Sequence, residues 1–431
     1  KVRLSQDPTG EADYAVLRRT PQRIPPRPVR NAGRSMTDMD DSDRTTPLVI
    51  AGVPAKNLAL HHRIRFPVGD PAALVEWPAE AGVRGRRLLI VRDIELERAR
   101  RDALADTCHA PAEFTPEGGL SGDRETATAQ SLAECLRKQG IGRVRGDRTL
   151  PLIFAEHLRD AGIDLIYDAE AGVAERRSKD ESEIEALREA QRITEEVIEF
   201  ACRTIAGAGV DRDGVLSIDG APLTSERVRT MIDLALLERG FDASPSIVAG
   251  GAGGADCHER GDGPLRTSEP VIIDVFPRSK ESLYHGDCTR VVVHGEIPEV
   301  VARMHAALVD AKRAGIAACR PGATGEEVHR ATIAEIHRHG FASGPMPGPD
   351  DPEGANWIGM VHGTGHGLGL DVHEPPLLDF KGPALVVGDA LTVEPGLYGR
   401  RIGGLRLEDL VVVTDDGCEN LNTLPEGLDW R

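Results

Sequence analysis

The sequence predicts a mixed α/β protein of two folded units, the second built from two halves that share the order helix, helix, strand, strand. A length of 431 residues exceeds one average domain and leaves room for two cores. In the first part of the chain, short apolar runs alternate with helical patterns ended by glycine. In the second part, a pair of amphipathic helices precedes an acid-bearing apolar strand pair, and the order then recurs.

Residues 1–47 are rich in arginine and proline, run into the acidic stretch Asp38-Met39-Asp40-Asp41, and show no period that could bury a face. They are expected to be a disordered leader, with Met36 as an alternative start. Residues 48–170 read as a small α/β domain: Leu88-Leu89-Ile90-Val91 and Ile163 to Tyr167 are strand candidates, and the helical pattern Ser131 to Gln139 stops at Gly140. The hydrophilic segment Glu175 to Glu181 marks the boundary to a second unit, 178–431.

There, Ile184, Leu187, Ala190, Val197, Ile198 and Ala201 predict a helix over 182–207, and a second helix over 225–239 ends at Gly240-Phe241. The strand Val271 to Asp274 and a returning strand through Asp287 to Val293 follow. The second half repeats this with helices 298–318 and 324–339, the latter opened by the capping box Thr324-Gly325-Glu326-Glu327 and ended by Gly340-Phe341. Its strands are Leu391 to Glu394 and a return through Glu408 to Val413.

A formal charge of −18 argues against a nucleic-acid-binding surface, which needs clustered Lys and Arg, and only the extreme N-terminus shows a local basic patch. The seven cysteines are scattered, odd in number and without CxxC spacing, which fits free thiols in the cytoplasm. No stretch approaches the ~20 apolar residues of a membrane span, so neither nucleic acid nor membrane is an expected partner.

The repeat sets one carboxylate on each outgoing strand and one on each return, Asp274 with Asp287 and Glu394 with Glu408. Taken singly, each fits a solvated strand end or a salt bridge. Four of them in equivalent positions on apolar strands, where facing side chains lie about 4.5–5.5 Å apart, resist ionisation unless a cation sits between them. The segment His362-Gly363-Thr364-Gly365-His366-Gly367-Leu368-Gly369-Leu370-Asp371-Val372-His373 adds imidazoles. Its glycines argue against a helix and for an extended run that admits close backbone approach to a metal or substrate. In such a run His362 and His366 share a face and His373 lies on the other, unless a bend intervenes.

The blocks Ile273-Asp274, Gly286 to Arg290, His362 to His373, Val393 to Tyr398 and Gly404 to Asp409 resemble the pita-bread metallopeptidases, which include methionine aminopeptidase, Xaa-Pro aminopeptidase, prolidase and creatinase. The resemblance runs from Ser178 onward, and Arg177 to Ala190 looks like the entry helix of the proline-specific members. Residues 48–168 are similar to the creatinase-type N-terminal domain in size and position. The resemblance implies that Asp274, Asp287, His366, Glu394 and Glu408 hold two divalent ions bridged by water or hydroxide. Manganese is expected ahead of cobalt, zinc or iron(II), and the oxygen-rich set independently suits such metals. It implies Glu394 as general base, His362 and His373 as groups that bind substrate and stabilise the intermediate or leaving amine, and a homodimer. His258 would be a further substrate-binding histidine, set in an unusual glycine-rich context. Arg406, grouped with these residues, would orient the ligating carboxylates or else be a solvated charge.

The additional N-terminal domain favours an Xaa-Pro aminopeptidase or prolidase-like dipeptidase acting on short proline-containing peptides over a methionine aminopeptidase. Creatinase-like hydrolysis of a small non-peptide C–N bond and a non-catalytic peptide-binding module are the alternatives. Two departures from the family pattern stand out. The long loop Val275 to Gly286, with Arg278, Lys280 and Glu281, is expected to alter the substrate mouth, and Pro345 to Asn356 is a second rim candidate.

Overall fold

The computed structural model describes residues 45–79, 85–243, 245–348, 350–351, 354 and 356–431. All but the last three residues of the expected leader lie outside them.

Strand β1 (Leu48–Gly52) is apolar throughout because both of its faces are covered. Helix α1 (Leu58–Ile64) precedes β2 (Ala72–Glu76) and β3 (Arg87–Ile90). Then come α2 (Leu96–Asp102), β4 (Thr107–His109), α3 (Arg124–Lys138), β5 (Arg143–Gly146), α4 (Leu152–Asp160) and β6 (Asp164–Tyr167). The six strands form one sheet in the order β4-β3-β2-β1-β5-β6. Val49 and Ala51 pack with Leu132 and Leu136 of α3 and Phe154 of α4, whereas Leu48 and Ile50 pack with Leu60 and Ile64 of α1. The period of two along β1 thus assigns alternate residues to two separate cores.

Helix α5 (Glu181–Ala206) starts at a reciprocal capping box between Asp180 and Glu183 and buries Leu187, Ala190, Val197, Ile198, Ala201 and Ile205 at helical spacing. A small sheet of β7 (Gly209–Val210), β8 (Leu216–Ile218) and β9 (Ala221–Pro222) then intervenes before α6 (Ser225–Glu238). Such short strands leave no periodic signal, so the simple helix, helix, hairpin order did not contain them. The chain continues through β10 (Phe241–Asp242), β11 (Ile247–Gly250), β12 (Pro270–Val275), β13 (Arg278–Ser279) and β14 (Cys288–Val293).

The second half supplies α7 (Glu299–Ala318) and α8 (Gly325–Arg338), and the Thr324–Glu327 box caps α8 as expected. Strands β15 (Ala342–Ser343), β16 (Gly359–Met360), β17 (Gly365–Gly367), β18 (Glu374–Leu378) and β19 (Ala390–Val393) follow. The last four are β20 (Gly396–Gly399), β21 (Gly403–Arg406), β22 (Asp409–Val413) and β23 (Cys418–Asn420). The pairs β12/β14 and β19/β22 are antiparallel and occupy equivalent places in the two halves. Helices α5 and α6 pack on Val271, Ile273 and Val275, while α7 packs on Ile272, Val291 and Val293. Residues 272 and 274 therefore share the face of β12 turned away from α5 and α6.

Candidate metal centre

Asp274 is the only proposed carboxylate ligand within a strand. Asp287 precedes β14, Glu394 follows β19 and Glu408 precedes β22, each by one residue. Across the ladder Asp274 faces Thr289, so it meets Asp287 diagonally and not as the opposed pair expected. Neither return is a tight hairpin: β13 lies in the first connection and the β20–β21 hairpin in the second. Asp287, Glu394 and Glu408 thus sit just off the strand ends, and with Asp274 they line a common space.

Strand β17 brings in the imidazole. Gly367 pairs with Leu391 of β19, and the His366 amide is held by Thr392 Oγ1 at 3.0 Å. His366 Nε2 then lies 3.3 Å from Glu394 Oε1 and 3.9 Å from Asp287 Oδ2. Donor atoms of Asp287, His366 and Glu408 all fall within 4.8 Å of one another, and Asp274 and Glu394 line the same cavity of about 340 Å³.

Burial, reinforced by the neighbouring acids, drives the carboxyls of Asp287 and Glu408 well above the usual range; burial also raises that of Glu394. Asp274 Oδ1 is buried and lacks a hydrogen-bond partner among the described residues. Packed acids with an orphaned oxygen call for positive charge at their centre, and the donor set of four carboxylates and one imidazole fits divalent cations. Burial lowers the pKa of His366, keeping its imidazole in the neutral form that ligates.

His362 is held from both ring nitrogens, by the Gly363 carbonyl at 2.8 Å and the Tyr398 hydroxyl at 2.8 Å. His373 does not remain on the opposite face. The chain bends between β17 and β18, and the His373 ring returns to 4.3 Å from that of His366. His258 is exposed on the loop after β11, at the cavity wall. Arg406 is no solvated charge: it is 4% exposed and donates to Asp274, Tyr398, Thr289 and the Cys257 carbonyl.

Several expectations need correction. A Cβ on Gly365 would stand 1.9 Å from the Thr392 carbonyl oxygen, and one on Gly367 would stand 2.5 Å from that of Glu374. Gly365 and Gly367 thus admit neighbouring strands, while Gly363 and Gly365 also line the cavity itself. Arg278 turns away from the mouth to Asp242 of β10 at 2.9 Å, and Lys280 stands 4.0 Å from the same residue; only Phe276 of that loop lines the cavity. None of the described residues between 345 and 356 lines it.

Sequence reasoning passed over Thr289, which donates to Glu408 at 2.7 Å, and Thr392, which stands 3.2 Å from Glu394. It also passed over Gln191, whose amide grips both backbone groups of Asp287. The two threonines could have been found, since each sits two residues from an acid and so shares its strand face.

Comparison with known proteins accords with this geometry. Residues 185–415, over half the chain, match the model of metallopeptidase family M24. The chain belongs to that family. It is 33% identical over 260 residues to the probable dipeptidase PepE of Mycobacterium tuberculosis, covering 59% of this chain and 60% of that protein. It is 34% identical over 238 residues to Xaa-Pro aminopeptidase 1 of Streptomyces coelicolor, covering 50% and 48%. The chain thus spans about 60% or less of the length of these relatives. Among solved structures, an Xaa-Pro dipeptidase from Bacillus anthracis superposes with a TM-score of 0.72 at 22% identity, covering 90% of this chain and 96% of that one. Dipeptidase PepE from Mycobacterium ulcerans gives 0.66 at 26%, covering 89% and 92%. The pita-bread fold, preceded by a smaller α/β unit, is common to this group, and its family implies divalent metal ions. No helix among the described residues is long and apolar enough to cross a membrane.

Proposed function

We propose that the chain is a two-metal exopeptidase that cleaves Xaa-Pro bonds of short peptides. The convergence of Asp274, Asp287, His366, Glu394 and Glu408 on one cavity supports this reading above all else. When bound, such ions supply a water deprotonated near neutral pH and polarise the scissile carbonyl. Glu394 takes the role of proton acceptor beside that water, with Thr392 fixing its carboxylate. His362, whose ring Tyr398 orients, and His373 face the substrate carbonyl and departing amine. Arg406 holds Asp274 in its ligating pose. His258 reaches the substrate from the mouth.

The Xaa-Pro preference draws support from relatives named Xaa-Pro aminopeptidase and Xaa-Pro dipeptidase. Residues 48–170 are proposed as the domain that limits substrate length. Manganese as the ion, a homodimer and a cytoplasmic location belong to the same reading, the last supported by seven free cysteines. The test is a panel of Xaa-Pro peptides of two to five residues with matched non-proline controls, run beside elemental analysis. Hydrolysis confined to proline peptides by metal-loaded protein is expected; cleavage of small non-peptide amides alone contradicts it.

A further inference from the structure

His373 is the one proposed catalytic histidine with no ring hydrogen bond among the described residues, whereas His362 and His366 each have such bonds. Its ring packs edge-on against His366, a contact weaker than a charge-assisted hydrogen bond. The backbone that carries it must therefore set its place.

That backbone is gripped from far away in sequence. Glu374, immediately after His373, is 6% exposed and receives Lys179 Nζ on Oε1 at 2.7 Å and Arg176 Nη2 on Oε2. The same Arg176 nitrogen reaches Asp371 Oδ2 at 2.7 Å, two residues before His373. Lys179 is itself fixed by the Arg176 carbonyl at 2.7 Å and is 7% exposed. Room for the contact comes from Gly369, where a Cβ would meet Glu374 Oε1 at 2.4 Å and Lys179 Cε at 3.1 Å. The cations belong to the segment between β6 and α5 that joins the six-stranded sheet to the metal-bearing unit. Arg177, in the same segment, pairs with Asp389 at 2.7 Å and anchors it to the turn before β19.

We propose that Lys179 and Arg176 are positioning residues for His373: by clamping Asp371 and Glu374 on either side of it, they hold its ring at the reacting group. The clamp rests on the peptidase reading for what His373 does there. Charge-assisted bonds are strong and directional, most of all the buried ones to Glu374, whereas Asp371 is half-exposed; together they fix the 371–374 backbone that carries the ring. Deleting Lys179 leaves Glu374 paired with Arg176, so the fold survives while the grip loosens.

The test is a double-mutant cycle on the full chain. Lys179→Met should lower kcat about 10- to 100-fold with KM and bound metal unchanged. In a His373→Ala background the same substitution should lower kcat no further, because its effect passes through the missing ring. Arg176→Met should behave alike, and Arg176→Lys should recover most of the loss. A second arm needs no substrate: in imidazole-nitrogen spectra of histidine-labelled protein, the His373 signal, identified by its loss in His373→Ala, should move in Lys179→Met. An equal fall in kcat in both backgrounds, an unchanged kcat, or an unmoved ring signal would overturn the clamp. Absence of peptide hydrolysis by the unsubstituted chain would instead overturn the peptidase reading, and the spectra alone would then decide the clamp.

Discussion

Nη2 of Arg406 stands 2.5 Å from Oδ2 of Asp274, while Nη1 of the same guanidinium donates to the Tyr398 hydroxyl at 2.9 Å. Tyr398 in turn holds His362. One buried cation thus ties a proposed ligand to a proposed substrate-binding histidine.

Arg406→Lys keeps the charge and loses the fork. A single ammonium cannot serve Asp274, Tyr398 and Thr289 together, so metal affinity or kcat/KM should fall about 10- to 100-fold. Titration of metal-free protein with manganese and peptide hydrolysis on the same preparation measure it. Unchanged values in both would remove Arg406 from the site's support.

Asp409→Asn tests the scaffold behind Glu408. Asp409 receives Arg290 at 2.9 Å and Lys312 at 2.5 Å, both cations nearly inaccessible. Removing its charge leaves buried cations undercompensated, which typically costs about 3–5 kcal/mol. Urea denaturation at neutral pH should show a loss of that order. A loss below ~1 kcal/mol would mean that water reaches this cluster.

Much of this architecture is legible in the sequence, and the parts that are not share a physical cause. The four long helices of the second unit stand out because Leu187, Val197, Val328 and their neighbours repeat at helical spacing behind capping residues. The five proposed ligands stand out because their blocks are local. What escaped is long-range or aperiodic. Nothing local in Lys179 signals a partner 195 residues away, and Tyr398 reaches His362 only through the sheet that unites β16 and β20. The place of His373 depends on a bend that alternation alone does not specify.

Glu183 predicts acid sensitivity at the junction between the two units. Burial alone would raise its carboxyl, yet hydrogen bonds from His62, Tyr284 and the Asp180 amide prevail and hold it at about 2, against an ordinary 4.5. A depressed folded pKa stabilises the protein above the unfolded value, and that contribution is lost as pH falls from about 4.5 through about 2. The shift corresponds to about 3 kcal/mol. Glu183→Gln should unfold at lower urea than the parent at neutral pH, with the gap closing as pH approaches 2. A gap independent of pH would assign the effect to shape and not to charge.

The most direct test of the proposed metal centre is elemental analysis paired with hydrolysis on one chelator-treated sample. Protein shown to be empty should have lost Xaa-Pro hydrolysis, and manganese or cobalt should restore it. Asp287→Asn should regain less metal, because a neutral amide is a poorer ligand for a hard cation than a carboxylate. Metal-free protein that hydrolyses its peptide at the full rate would contradict the account.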